Sequence, residues 1–177
     1  FEKQWIPYGY DNREHEEKSK EAGRKMLDTY FDSEGDVFTI PAYIEQFFKI
    51  AIGNVRFEGR IDRIDKLPDG TFEVIDYKTG SSKKADFIDK DLQLSIYALA
   101  CRDSLKIPVS KLTLFFLEDN LKVSTTRSDS QLEAVKKELL EVIADLQASD
   151  FHATPGMHCG FCDYRGICNY AMITLQK

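Results

Sequence analysis

Three residues near the middle of the chain, Asp62, Asp76 and Lys78, have the types and spacing for metal-assisted chemistry. They lie in the stretch F-E-G-R-I-D-R-I-D-K-L-P-D-G-T-F-E-V-I-D-Y-K-T-G that begins at Phe57. Two carboxylates that face one another repel unless a cation sits between them or one takes a proton. Oxygen donors so placed suit Mg²⁺ or Mn²⁺, which keep waters and take one or two carboxylates together with a substrate phosphate. A lysine beside such a metal can hold or deprotonate an attacking water, or stabilise a negative transition state. On an exposed hairpin the same residues would make surface ion pairs worth ~0–1 kcal/mol each. The hairpin alone leaves both readings open.

A β-hairpin has to position these groups. Val74 and Ile75 favour a strand, and Phe57, Ile61, Ile64 and Leu67 supply apolar residues to the first arm. Pro68-Asp69-Gly70 is a turn, because proline fixes φ and glycine tolerates φ > 0. With that three-residue loop, Leu67 pairs with Thr71 and Asp62 falls opposite Asp76. Alternation then puts Lys78 on the same face. A one-residue slip would turn the two acids to opposite faces.

G-R-I-D followed by V-I-D-Y-K-T-G resembles the core of the PD-(D/E)XK nuclease superfamily, in its RecB-like branch. Gln93-Leu94-Ser95-Ile96-Tyr97 resembles that branch's Q-x-x-x-Y helix, and Cys159-x2-Cys162-x5-Cys168 the cysteine end of its iron–sulfur subgroup. The pieces stand in the family's order over about residues 55–170. The resemblance implies an α/β, restriction-endonuclease-like fold: a central mixed β-sheet flanked by helices, with a small cysteine-rich C-terminal cap. The nuclease core would occupy 1–150 and the cap 151–177. It implies a Mg²⁺- or Mn²⁺-dependent deoxyribonuclease, an exonuclease within a helicase–nuclease or recombination-repair machine. DNA would be the substrate, and helicase domains or subunits the partners. Asp62 and Asp76 would bind the metal, with the Tyr77 carbonyl as a further ligand. Lys78 would orient or activate water, and Gln93 and Tyr97 would hold the surrounding geometry. Cys159, Cys162 and Cys168 would hold a [4Fe-4S] cluster whose fourth cysteine, like the branch's metal-ligand histidine, is expected upstream of residue 1. The alternative is an inert descendant of the fold that binds DNA or docks a protein. Two facing acids and a lysine have no chemical purpose there.

Composition narrows the class. A chain of 177 residues can bury a core of ordinary size. It has no apolar run of about 18 residues and opens on no signal-peptide pattern. Of four cysteines, three lie within ten residues. That is unlike a secreted disulfide framework and fits a metal-type cluster in a reducing, cytoplasmic setting. The net charge of −6 argues against binding nucleic acid by bulk electrostatics.

The remaining segments supply the frame. Residues 12–31 read as a charged, partly amphipathic helix in which His15 has only charged neighbours and belongs to a solvated face. Val37–Ile40 and Tyr43–Ile52 read as strands, with Glu45 a partly exposed strand residue. Lys83 and Lys84 close a polar loop that either touches a phosphate or is a solvated linker. Residues 88–103 form a helix on which Gln93 and Tyr97 share a face. Its Cys101 behaves as a small buried apolar residue. Lys111–Leu117 is a buried strand and Leu121–Thr126 a polar strand near an edge. Residues 129–148 form an amphipathic helix capped by Ser128 or Ser130, with Glu133 reaching back to Ser130. His158 stands too close to Cys159 for both to chelate one metal without strain.

Overall fold

The sheet grows outward from the turn at Pro68–Gly70. In the computed structural model, which describes residues 1–35, 39–82 and 85–171, Leu67 N–H donates to Thr71 O at 2.8 Å. Gly70 N–H donates to Leu67 O at 3.0 Å, and Gly70 takes φ 85°, where a side chain would be strained. The Asp69 carboxylate locks the turn by accepting from Thr71 N–H at 2.9 Å. The flanking strands are β2 (Val55–Lys66) and β3 (Phe72–Lys78). They pair antiparallel, with Arg63 opposite Ile75, Ile64 opposite Val74 and Asp65 opposite Glu73. This is the register expected from a three-residue loop.

Strand β1 (Tyr43–Ile52) joins the outer side of β2 antiparallel through the turn at Gly53–Asn54. β4 (Val109–Phe116) lies parallel to β3, and β5 (Leu121–Thr125) closes the far edge antiparallel to β4. The order β1-β2-β3-β4-β5 is therefore a mixed five-stranded sheet flanked by helices, an α/β fold of the restriction-endonuclease-like kind. A parallel pair needs a crossover. Here α2 (Ala85–Ile88) and α3 (Leu92–Ala100) provide it, ending in a π-type turn at Cys101–Leu105. Helix α1 (Arg13–Glu34) begins at Asn12, whose side chain accepts from His15 N–H at 2.9 Å.

Buried apolar residues come from both helix and sheet: Leu94 and Leu99 of α3, Ile61, Ile64 and Val74 of the hairpin, and Leu112, Leu114 and Phe115 of β4. Tyr77 points to the opposite face from Asp76 and meets α1, where its ring stands 5.9 Å from that of Tyr30. The chain divides into two compact units, Phe1–Leu139 and Leu140–Lys177, with helix α4 (Asp129–Ala148) contributing residues to each.

Four expectations need correction or qualification. Of the strand expected at Val37–Ile40, residues 37 and 38 lie outside the described residues, and Thr39 and Ile40 are not strand. The ladder starts beyond Pro41, which has no N–H to give, when Ala42 N–H donates to Ile64 O at 2.8 Å. The helix expected over 88–103 is broken, because the Asp91 carboxylate accepts from Leu94 N–H at 2.8 Å and starts a new helix. Helix α4 is capped by Ser128, not Ser130. Gln131 N–H donates to Ser128 Oγ at 3.3 Å, and Gln131 Oε1 accepts from Ser128 N–H at 2.8 Å. Glu133, expected to reach back to Ser130, instead accepts from Arg102 at 2.7 Å. A reciprocal cap with Gln satisfies two backbone donors at once, and an ion pair with Arg102 leaves Glu133 no reason to compete.

Gly59, paired with Phe48 of β1, leaves the space that the Phe48 ring fills. A Cβ there would stand 2.8 Å from Phe48 Cζ. Phe48 is buried, and its ring already meets that of Tyr97 edge-on, centroids 5.8 Å apart. Gly59→Ala should therefore destabilise the fold by about 1–3 kcal/mol, the usual effect of overpacking. Urea unfolding followed by circular dichroism measures it, with a lower midpoint expected at unchanged slope.

Candidate active site

The ladder breaks where the chemistry is expected. β2–β3 pairing stops at Arg63–Ile75, and β1–β2 pairing skips the Glu45–Asp62 position. Glu45 there takes φ 49°, a left-handed backbone unusual in a strand. With β2 released at this point, the Asp62 side chain does what its backbone would have done. Its Oδ2 accepts from Tyr77 N–H at 2.9 Å. That bond ties the first acid to the strand that carries the second.

Asp76 is buried, at 2% exposure, between the sheet and α3. Gln93 Nε2 donates to Asp76 Oδ1 at 2.9 Å and to the Tyr97 hydroxyl at 2.7 Å. Gln93 Oε1 accepts from Lys78 Nζ at 2.7 Å, and the Tyr97 hydroxyl donates to Asp76 Oδ1 at 3.4 Å. The amide of Gln93 can face only one way in this network, because an ammonium has nothing but donors and a carboxylate nothing but acceptors. One helical turn between Gln93 and Tyr97 brings both side chains to the same carboxylate. Asp91, by restarting the helix, sets the phase of that turn.

Lys78 Nζ lies 2.6 Å from the other oxygen, Asp76 Oδ2. By distance this is an ion pair, yet that buried oxygen receives no hydrogen bond of normal geometry. Burial pushes the Asp76 carboxyl above its ordinary pKa, Lys78 pulls it down, and the Asp62 charge pushes it up again. The Tyr97 hydroxyl is pushed up to about 12, chiefly by burial, so it stays a neutral donor.

An orphaned, buried carboxylate oxygen beside a second carboxylate is a fit for a divalent cation. The donors at hand are the acids Asp62 and Asp76 and the backbone at Tyr77. Among the described residues no group of three or more His, Cys, Asp or Glu side chains is gathered to hold a metal ion. Two carboxylates are nonetheless a sufficient protein contribution for Mg²⁺, which keeps several waters of its own.

The other sequence candidates stand apart from this network. His15 is at the start of α1, 3.3 Å from Asp11 and edge-on to Tyr10. The Glu45 side chain is exposed. Lys83 and Lys84 lie outside the described residues. Cys101 is buried in the turn after α3, and burial pushes its thiol up to about 12, which keeps it protonated. Cys159 and Cys168 are half-buried and Cys162 is exposed, along two 3-10 turns at Met157–Phe161 and Asp163–Gly166. Their thiols form no disulfide.

The family model of the PD-(D/E)XK nuclease superfamily matches residues 2–169. The chain belongs to that superfamily. Its members are generally nucleases and typically use divalent metal ions, so nuclease activity on DNA is the activity the membership suggests. Among solved structures, one described as the crystal structure of SSO0001 is similar at 18% identity, over 86% of this chain and 70% of that one, with a TM-score of 0.49. A search of curated proteins returned no match. Among the described residues of this superfamily member, no helix is long and apolar enough to cross a membrane.

Arg127 is among the structural residues that escaped the sequence reading. Arg127 donates to Ser95 Oγ at 2.9 Å, Ile88 O at 3.0 Å and Asp91 O at 3.3 Å. It thereby clamps the junction from which α3 presents Gln93. A lone arginine between a strand and a helix carries no local signal of such a role.

Proposed function

We propose that this chain is a Mg²⁺- or Mn²⁺-dependent deoxyribonuclease of the RecB-like branch, an exonuclease working within a helicase–nuclease or recombination-repair machine. The observation that carries the reading is the bonded set Lys78–Gln93–Asp76–Tyr97, with Asp62 tied to the backbone beside it. Asp62, Asp76 and the Tyr77 carbonyl are the residues that would hold the metal. When bound, a divalent ion there supplies positive charge to the phosphoryl oxygens and acidifies water. Gln93 and Tyr97 keep Asp76 in one orientation. Lys78, whose side chain is 34% exposed, reaches from the buried acid toward solvent, where it can hold the attacking water and stabilise charge on the phosphate. Hydrolysis forms a bond from water oxygen to phosphorus and breaks the bond to the leaving sugar oxygen. The proton ends on solvent or on the leaving oxygen.

The test is cleavage of end-labelled DNA by the purified chain with Mg²⁺ or Mn²⁺, beside Asp76→Asn and a chelator control. Metal-dependent cleavage lost in the variant supports the reading. Cleavage that survives in Asp76→Asn overturns the site. DNA binding with no cleavage by the wild type under either metal favours the inert module.

The cysteines belong to the same proposal, because their spacing suits a [4Fe-4S] cluster completed by a fourth ligand outside the three. As placed, the three thiols are not gathered into a metal-holding group, so no catalytic step is assigned to a cluster. Protein that carries the fourth ligand, purified without oxygen, should hold about four iron atoms and four sulfides per cluster, lost in Cys162→Ser. Iron-free protein with that ligand present would remove the iron–sulfur part of the reading and leave the nuclease part standing.

A further inference from the structure

The chain leaves the site at Lys78 and returns to it at Gln93, 15 residues later. What lies between is tied to the β4–β5 side of the sheet. Ser82 N–H donates to Asp119 at 2.5 Å, and Thr125 Oγ1 donates to Asp89 at 2.6 Å. Arg127, just beyond β5, adds the largest set of ties. Its Nη1 donates to Thr125 Oγ1 at 3.0 Å and to Thr126 O at 2.9 Å on its own side. Across the junction, Nη2 serves Ile88 O and Asp91 O, and Nε serves Ser95 Oγ. All five donors of the guanidinium are thereby used. Among the described residues these acceptors are hydroxyls and backbone carbonyls, with no carboxylate bonded directly. Burial pulls the guanidinium below its ordinary pKa, with Asp89 and Asp91 opposing. A cation that gives up hydration without a bonded anion gains direction instead, because the planar fork fixes five acceptors at once.

We propose that Arg127 is a positioning residue for the site: it fixes the start of α3 against β5, and so holds the Gln93 amide between Lys78 and Asp76. The inference rests on the nuclease reading of that site. Two observations carry it. Gln93 is the second residue of α3, two positions beyond Asp91, whose carbonyl Arg127 holds, so a shift in the helix start passes directly to its side chain. The Asp91 cap starts the helix but does not set its distance from the sheet. Gln93 also has no slack, since Oε1 serves Lys78 and Nε2 serves both Asp76 and Tyr97. A misplacement on the order of 1 Å breaks such bonds and costs about 10²-fold in rate.

The experiment reads the Gln93 side-chain amide by NMR in the isotope-labelled chain, assigned by its absence in Gln93→Ala. In the wild type its protons should be shifted and slow to exchange, as bonded protons are. In Arg127→Ala they should move to the values of a free glutamine amide. Mn²⁺ binding should weaken about 10- to 100-fold, the usual effect of losing support behind a metal ligand. The kcat for DNA cleavage should fall about 10²-fold with KM little changed. Arg127 lines two clefts, of about 210 and 360 Å³, so the space left by its guanidinium is open to solvent. Guanidinium ion at millimolar concentration should therefore restore all three readings in Arg127→Ala. Arg102→Ala is the control for a role in stability alone. Arg102 lines the smaller cleft but bonds to Asp103 and Glu133, so its loss should lower Tm and leave the Gln93 signals in place. Should Arg127→Ala not fold, Arg127→Lys is read instead, because one ammonium cannot span the acceptors of a fork. Unchanged Gln93 signals and Mn²⁺ affinity in a folded Arg127 variant overturn the inference. So do signals displaced equally in Arg102→Ala, signals that guanidinium does not return in Arg127→Ala, or a wild-type amide that is already free. A wild type with the bonded amide that binds Mn²⁺ yet cleaves no DNA removes the nuclease reading and leaves the Arg127 test standing.

Discussion

Asp76→Asn should reduce metal-dependent DNA cleavage by at least about 10³-fold, and Lys78→Ala by about 10²–10⁴-fold, with the fold intact in both. The asymmetry in burial explains why the acid is the more severe loss. Asp76 is 2% exposed and bonded to Gln93 and Tyr97, so the amide that replaces it occupies a fixed position and water cannot fill in for the lost charge. Lys78 reaches solvent, and buffer amines or water can take over part of its work. The metal-free protein should show the matching stability effect. The Asp76 carboxyl has a folded-state pKa raised by burial and by Asp62, so ionising it opposes folding. Its contribution is fully present below the ordinary carboxylate range and is lost as pH rises through the raised value. In chelator, thermal melts of Asp76→Asn should therefore gain on wild type as pH climbs from about 4 toward neutral. Added Mg²⁺ should raise the wild-type midpoint and leave the variant unmoved, because only a group that binds the ion shares its binding free energy. A variant that melts in parallel with wild type at every pH, with or without Mg²⁺, would show that Asp76 is not the strained acid of the site.

How far the site was legible can be judged from particular residues. Pro68-Asp69-Gly70 announced the hairpin because its chemistry is local: one ring, one Asx acceptor and one residue free to take φ 85°. The loop length then set the register as far as Arg63–Ile75. What no alternation rule could supply is the break at Asp62, where a side chain replaces a ladder bond and Glu45 adopts a left-handed backbone. Gln93 and Tyr97 were legible as neighbours on a helix, but not their common target. That depends on α3 restarting at Asp91 and on Arg127 holding the junction from 32 residues beyond Ser95. Ser128 and Ser130 offered equal local claims to the cap of α4. The choice went to the one whose partner, Gln131, had no ion pair elsewhere to make among the contacts of Glu133 and Arg102. Local chemistry was readable; long-range partners were not.

The least legible feature carries the second large prediction. Arg63 and Asp65 flank Ile64 on β2, and the sequence reading assigned them no part in the fold. They are 6% and 7% exposed. Arg63 Nε donates to both Asp65 oxygens, at 2.8 and 3.0 Å. Its other nitrogens reach the Tyr30 hydroxyl at 3.2 Å, the Tyr77 hydroxyl at 3.3 Å and Thr39 O at 3.1 Å. A helix, two strands and the segment before β1 therefore meet on one guanidinium. Removing the carboxylate takes the bidentate partner from a buried guanidinium, so Asp65→Ala should destabilise the protein by about 3–5 kcal/mol. Attraction between two desolvated ions roughly cancels their joint desolvation, so the double variant Arg63→Met, Asp65→Ala should recover most of that loss. Urea unfolding of the two single variants and the double closes the cycle. A loss below about 1 kcal/mol in Asp65→Ala would mean the pair behaves like a surface ion pair despite its burial. The same cycle has a functional arm. Arg63 and Tyr77 directly adjoin Asp62 and Asp76 in sequence, on the opposite sheet face. If that face fixes where Tyr77 N–H meets Asp62, the double variant should regain stability without regaining the full cleavage rate.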